Sequence, residues 1–307
     1  MTLSSQPRRR SGALRKWLEI SLFTGPALIV FLAFVILPVV LAAVYSLYNW
    51  NGLGPLERFI GFGNYERALS DPLFLKAIGN NFTIVVLSIL IQGPLAIGIA
   101  LLLNRKLRGR TLIRALIFVP YVLAEVIAGL SWKLLLSQRG GVNAALQAIG
   151  LGDLAQPWLA EPDVALWVMF GILSWKYLGF AILLMLAGLQ GVPEELHEAA
   201  AIDGANWWQI QWRITLPLLG PTIRIWVFLS IVGSLQLFDM VWVTTRGGPV
   251  GATATMATYM IQYGQGQYGY GSAIAVILFV ISLAVALLYQ RFAMRRDLLG
   301  AITTGVR

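Results

Sequence analysis

Six runs of this chain, residues 21–48, 81–103, 113–136, 164–190, 222–245 and 271–292, are each long and apolar enough to cross the hydrocarbon layer of a bilayer as a helix. Lipid offers no water to a backbone N–H or C=O, so each run must satisfy its hydrogen bonds internally. The fold expected is an all-α integral membrane protein with six transmembrane helices. With 58% hydrophobic and 12% charged residues in 307, no stretch between the runs reads as a soluble domain. Pro26, Pro38, Pro94 and Pro120 lie inside the runs and predict a packed bundle of kinked helices.

The basic residues set the orientation. Arg8, Arg9, Arg10, Arg15 and Lys16 precede the first run; Arg105, Lys106, Arg108, Arg110 and Arg114 follow the second; Arg291, Arg295 and Arg296 end the chain. The loops after runs one, three and five hold only Arg58, Arg67, Lys76, Arg139 and Arg246 over a greater length, mixed with acids. Cytoplasmic loops carry the Lys and Arg excess, so both termini, and by parity the loop after run four, are expected in the cytoplasm. The net charge of +9 is thereby a topological signal at lipid headgroups, not a nucleic-acid surface. The first run exceeds the core of a cleavable signal and is expected to be retained. The organisation expected is a cytoplasmic tail over 1–20, a transmembrane domain over 21–293 and a second cytoplasmic tail over 294–307.

Several chemistries are excluded. There is no cysteine, and His197 is the only histidine, so thiol catalysis and a histidine metal centre have no residues to use. A phosphate-cradling loop needs a Lys followed by Ser or Thr, and none of Lys16, Lys76, Lys106, Lys133 and Lys176 is so followed. The chain is expected to be non-catalytic, with no metal and no cofactor of its own.

The least membrane-like segment is the loop over 193–221. It reads "PEELHEAAAIDGAN" from Pro193, with Glu194 and Glu195 in a first helical turn and Gly204 as a stop. Asn206 can cap a second short helix bearing Trp207, Trp208 and Trp212, and Pro217 and Pro221 punctuate the return to the membrane. The first helix offers a thin alanine surface edged by acids, which suits a partner groove better than a lipid surface.

Glu198-Ala199-Ala200, Gly204 and the "ITLP" ending at Pro217 resemble the EAA loop of the membrane subunits of binding-protein-dependent ABC importers. "FIGFGNYERALSDPLF", "LRGRTLIRALIFVPYVLAEVIAGLSWKLL" and "FDMVWVTTRGGP" are similar to the sugar-type permeases, the maltose-transporter group. The resemblance implies the type I ABC importer permease fold, with the loop forming a cytoplasmic coupling helix that docks on an ABC ATPase dimer. Glu198, Ala199, Ala200, Asp203, Gly204 and Pro217 would then make or shape that contact, and ATP and Mg would be bound by the partner ATPase. It further implies the bacterial inner membrane, an extracytoplasmic solute-binding protein and a second related permease, although hydropathy alone fits a homodimer equally well.

In the same family the spans flanking this loop line the sugar pocket. Matching by distance from the loop points to Leu173, Lys176, Tyr177 and Phe180 in the fourth run and Ser230, Ser234 and Leu237 in the fifth. Lys176 has two readings: a donor to a sugar hydroxyl or an anionic substituent, or a partner of a helix-end carbonyl or of an acid on the second permease. Glu125, two turns from Lys133, is a candidate for an internal polar network, and Asp239 for a gate. The cargo expected is an oligosaccharide or modified monosaccharide. The alternatives are a glycerol-phosphate-type solute in the same machinery, and an ion-coupled secondary transporter.

Overall fold

The computed structural model describes residues 11–105 and 108–294. Arg8, Arg9, Arg10, Lys106, Arg295 and Arg296 lie outside them, as does the tail beyond Met294. Among the described residues five helices are long and apolar enough to cross a membrane: span 1 (Glu19–Tyr45), span 2 (Pro72–Leu103), span 4 (Pro162–Leu189), span 5 (Trp207–Thr244) and span 6 (Tyr268–Ala293). Between spans 2 and 4 lie span 3a (Arg110–Val122) and span 3b (Glu125–Leu135), which meet at 95°. A single kinked helix over 113–136 was expected here. Instead Leu123 and Ala124 are extended, with ψ of 141° and 139°, and the helix restarts at Glu125.

Ahead of three of the prolines the helices widen. Three π-turns, Leu32–Ile36, Ser88–Gln92 and Gln211–Thr215, stand just before Pro38, Pro94 and Pro217. In each, the residue preceding the proline (Leu37, Gly93, Leu216) donates its N–H to the carbonyl five residues back. A proline cannot donate to the carbonyl four residues earlier and its ring crowds that group. The wider turn absorbs the mismatch and keeps the helix unbroken. For the same reason Pro217 does not interrupt the chain's return to the membrane: span 5 is helical from Trp207 through the π-turn to Leu235.

The break in span 3 is held by span 4. Lys176 is 2% exposed, and its Nζ donates to the carbonyls of Pro120 at 3.3 Å and Tyr121 at 3.1 Å, and to that of Leu123. These carbonyls lack an intrahelical donor because span 3a ends at Val122, and the ammonium sits at the negative end of that half-helix. The adjacent Tyr177 Oη donates to Glu125 Oε1 in the first turn of span 3b. Consecutive residues of one helix thus secure the two sides of the break.

Small residues let the helices approach, as in other membrane bundles. A Cβ on Gly179 would lie 2.3 Å from the Ile117 carbonyl oxygen, and one on Gly188 would lie 2.4 Å from Thr222 Oγ1. Ala96 and Ala100 of span 2 and Ala181 of span 4 are fully buried beside Met185 and Leu219. Span 1 packs its later part, Leu37–Tyr45, on span 6, while much of its apolar surface, such as Phe23 and Phe34, stays exposed.

Loops segregate by end. The Arg105 guanidinium lies 4.7 Å from the Trp207 ring centre, so the loop after span 2 shares one end with the helices over 194–210. At the far end the loop after span 5 meets the loop after span 1, where Arg67 donates to Gln267, and the loop after span 3, with which it lines one cavity. There Asn80 Nδ2 donates to the carbonyls of Gly251, Ala252 and Ala254, and Asn81 bridges the Ser234 carbonyl and the Met256 N–H. Asp71 caps span 2 through the N–H groups of Leu73 and Phe74 and accepts from Tyr259 Oη at 2.6 Å. Burial pushes the Asp71 carboxyl up, but the Tyr259 hydroxyl, both backbone N–H groups and the Arg67 charge outweigh it and hold it below its ordinary value of 3.8.

Two outcomes follow. Gly179→Leu forces span 4 off span 3a and lowers the thermal unfolding midpoint in detergent, at a cost of about 1–3 kcal/mol from overpacking. Because the folded carboxyl of Asp71 titrates lower than the unfolded one, its stabilisation is complete above the ordinary value and is lost as the pH falls through the folded value. Asp71→Asn therefore flattens the acid limb of the unfolding curve, chiefly by lowering the neutral plateau toward the stability the unaltered chain keeps at low pH.

Candidate functional site

A cavity of about 320 Å³ lies where spans 2, 3a, 4 and 5 converge. Span 4 contributes Leu173, Tyr177 and Phe180; span 5 contributes Ser230, Ser234 and Leu237 along with Trp226, Leu229 and Gly233. At helical spacing these residues fall on the facing stripes of the two spans. Span 2 adds Ile84, Ser88 and Gln92, and span 3a adds Tyr121.

Ser88 and Gln92 are the first and last residues of the π-turn ahead of Pro94, so the proline that widens the helix also faces polar groups onto the cavity. The Trp226 ring rests against Gly93, where a Cβ would come within 2.7 Å of it. Tyr121 stacks on Phe180 with ring centres 5.1 Å apart and 20° between planes, and meets Tyr177 edge-on at 6.3 Å. The result is an aromatic wall facing serine hydroxyls and one amide. Such a lining suits a polyhydroxylated solute, whose ring faces are apolar and whose edges carry donors and acceptors.

Six of the residues expected on the substrate path therefore share one cavity. Lys176 is not among those lining it, because its ammonium is engaged by the carbonyls at the break in span 3. Glu125 is partly buried and bound by Tyr177 rather than by Lys133, whose Nζ reaches the Val243 carbonyl at 3.5 Å. Asp239 is exposed and opens the short helix Asp239–Thr244. Trp132 and Trp175 pack against each other at 5.4 Å. Tyr121, Ser88, Gln92 and Trp226 escaped the sequence reading. For Ser88 and Gln92 a signal was present: two polar residues four apart in an apolar run mark one face of a membrane helix.

The second feature is the loop between spans 4 and 5. Glu194–Ile202 forms a helix with Pro193 as its N-cap. It ends in a paired cap: the Gly204 N–H donates to the Ala201 carbonyl and the Ala205 N–H to that of Ala200, with Gly204 at φ +81°. Asn206 and Gln209 cap the next helix reciprocally. Glu198, Ala199 and Asp203 are exposed, Ala200 half-buried, and Ile202 stands 86% exposed at the helix end. His197 Nε2 lies 3.1 Å from Thr215 Oγ1, tying this helix to the π-turn that leads into span 5 and Pro217. Among the described residues no cluster of His, Cys, Asp and Glu is placed to hold a metal ion.

Residues 3–297 match the family model described as "Binding-protein-dependent transport system inner membrane component". The trehalose/maltose transport system permease protein MalF of Thermococcus litoralis is 35% identical over 275 residues, covering 89% of this chain and 92% of that protein. The multiple sugar-binding transport system permease protein MsmF of Streptococcus mutans is 37% identical over 258 residues, covering 83% and 88%. Among solved structures, a bacterial ABC transporter involved in the import of the acidic polysaccharide alginate has a chain that superposes with a TM-score of 0.80 at 27% identity, covering 94% of this chain and 99% of that one. With its all-helical architecture and a family match along almost its whole length, this chain belongs to the inner-membrane permease components of binding-protein-dependent ABC transporters.

Proposed function

We propose that this chain carries a sugar across the bacterial inner membrane through the cavity between spans 4 and 5, as one of two permease subunits in an ATP-driven importer. The observation that supports this most strongly is mechanical. The exposed helix Glu194–Ile202 is joined on one side to span 4 by residues 190–193 and on the other, through Asp203–Asn206, to a helix continuous with span 5. Those two spans line most of the cavity, and Gly188 packs them closely at this end.

A displacement of this helix would therefore be transmitted to the cavity walls. ATP and Mg are held by an ABC ATPase dimer, in whose cleft Glu198, Ala199, Ala200, Asp203 and Ile202 sit. Gly204 supplies the left-handed turn that ends the helix. Closure of the ATPase dimer biases the membrane subunits toward the arrangement open to the binding protein, and hydrolysis reverses it. Both termini and this helix lie in the cytoplasm, following the Lys and Arg excess at that end. The loops after spans 1, 3 and 5 face the binding protein.

The sugar class rests on the relatives, whose names specify trehalose/maltose, multiple sugars, lactose and alginate transport, and on the aromatic and hydroxyl lining of the cavity. A second, related permease is expected opposite the cavity, since a six-span chain walls only one side of a path. An ion-coupled transporter is not favoured, because the family match runs over residues 3–297 and Glu125 is engaged by Tyr177.

The reading is tested with the complex reconstituted in liposomes with its binding protein. Ile202→Asp and Gly204→Val, the latter forcing a branched residue into φ +81°, are expected to reduce sugar-stimulated ATP hydrolysis about tenfold or more. Folding of the membrane domain, read by thermal unfolding, stays near that of the unaltered chain. Undiminished stimulation in both variants would remove the coupling role.

A further inference from the structure

Within the cavity reading just proposed, the charges around the site have a definite arrangement. The solved relative with the TM-score of 0.80 comes from a transporter of an acidic polysaccharide, and the most obvious cation near this cavity is Lys176. That ammonium is 2% exposed and donates to three backbone carbonyls, those of Pro120, Tyr121 and Leu123. An ammonium has three protons. All are committed to the broken helix, so Lys176 offers none to a cargo.

Among the residues that line the cavity, none is charged: the polar members are Ser88, Gln92, Tyr121, Tyr177, Ser230 and Ser234. The nearest acid in the hydrogen-bond network is Glu125, one bond behind the wall, where it accepts the Tyr177 proton. This has two consequences. The Tyr177 oxygen, with its O–H committed to the hydrogen bond with Glu125, presents only lone pairs to the cavity and accepts a hydrogen bond from a hydroxyl of the cargo. A negative group in a site of reduced dielectric also opposes an anion placed on the other side of the phenol.

We infer that Glu125 is a positioning and specificity-determining residue, which orients Tyr177 as an acceptor and makes this cavity selective for uncharged saccharides over uronates and sugar phosphates. Two separable effects are assigned to it. Glu125→Gln keeps an acceptor oxygen for Tyr177 and removes the charge. Glu125→Ala removes both.

The test uses the complete complex in nanodiscs, held in its ATP-bound state by a hydrolysis-deficient ATPase partner, so that the binding protein takes no part in selection. Binding of maltose, lactose and digalacturonate is measured by equilibrium titration. The unaltered complex is expected to bind a neutral disaccharide about tenfold or more tightly than digalacturonate. Glu125→Gln narrows that ratio at least threefold by improving uronate binding while leaving neutral affinity within about twofold. Glu125→Ala weakens the neutral sugar by about as much as Tyr177→Phe, and the two together weaken it no further. Uronate binding equal to that of the neutral sugars, or a ratio unmoved in Glu125→Gln, would overturn the inference and leave the cavity reading standing. Binding of no saccharide, with the complex still hydrolysing ATP before the ATPase substitution is introduced, would overturn the cavity reading and this inference with it.

Discussion

The contact between the Lys176 ammonium and the carbonyls at the end of span 3a is the interaction on which the membrane domain depends. A helix that stops within a bilayer leaves its last carbonyls without donors, and each such group costs several kcal/mol in hydrocarbon. A buried ammonium is costly for the complementary reason. Brought together they satisfy each other, and the 95° turn between spans 3a and 3b becomes tolerable at membrane depth. Gly179 permits the approach that this contact needs, since any side chain there would meet the Ile117 backbone. Tyr177, one residue further, reaches the opposite side of the break.

From that point the rest of the architecture can be followed in both directions. Toward the far end, span 3b packs on the helix Asp239–Thr244, with Gly129 close to Val243 and Met240. That helix leads into the turn-rich segment that Asn80 and Asn81 fasten to span 2. Toward the near end, spans 4 and 5 run together past Gly188 to the helix Glu194–Ile202. The cavity lies between these connections, lined by the same Tyr121 and Tyr177 that take part in the break.

The spans and the loop helices were legible in the sequence because apolar length, acidic first turns, a Gly stop and an Asn cap act locally. Span 4 and the cap at Gly204 stand where those signals put them. The break in span 3 was not legible, because Pro120 resembles Pro94 and Pro38 in sequence. The latter two are absorbed by π-turns, whereas the helix after Pro120 can end because Lys176, from another span, donates to its carbonyls. Tyr121 and Trp226 escaped for a related reason: an aromatic residue in an apolar run has the same signature whether it faces lipid, a neighbour or a cavity. Spacing from the loop did place Leu173, Tyr177, Phe180, Ser230, Ser234 and Leu237 together, since span 4 and the Leu216–Leu235 part of span 5 are regular helices, along which register carries as far as the turn that holds Leu237.

The central claim is that this cavity is the path of the cargo and that its access changes sides with nucleotide. The chain contains no cysteine, so a single Ser230→Cys substitution gives one reporter thiol in this subunit, on the cavity wall. Its rate of alkylation by a membrane-impermeant reagent is the most direct measurement, made on the reconstituted complex with the reagent added on one side of the membrane at a time. The thiol is expected to react from the cytoplasmic side without nucleotide and from the binding-protein side with ATP bound, and to be protected by the transported sugar. A thiol that reacts from the same side in both states, or that sugar does not protect, would contradict it.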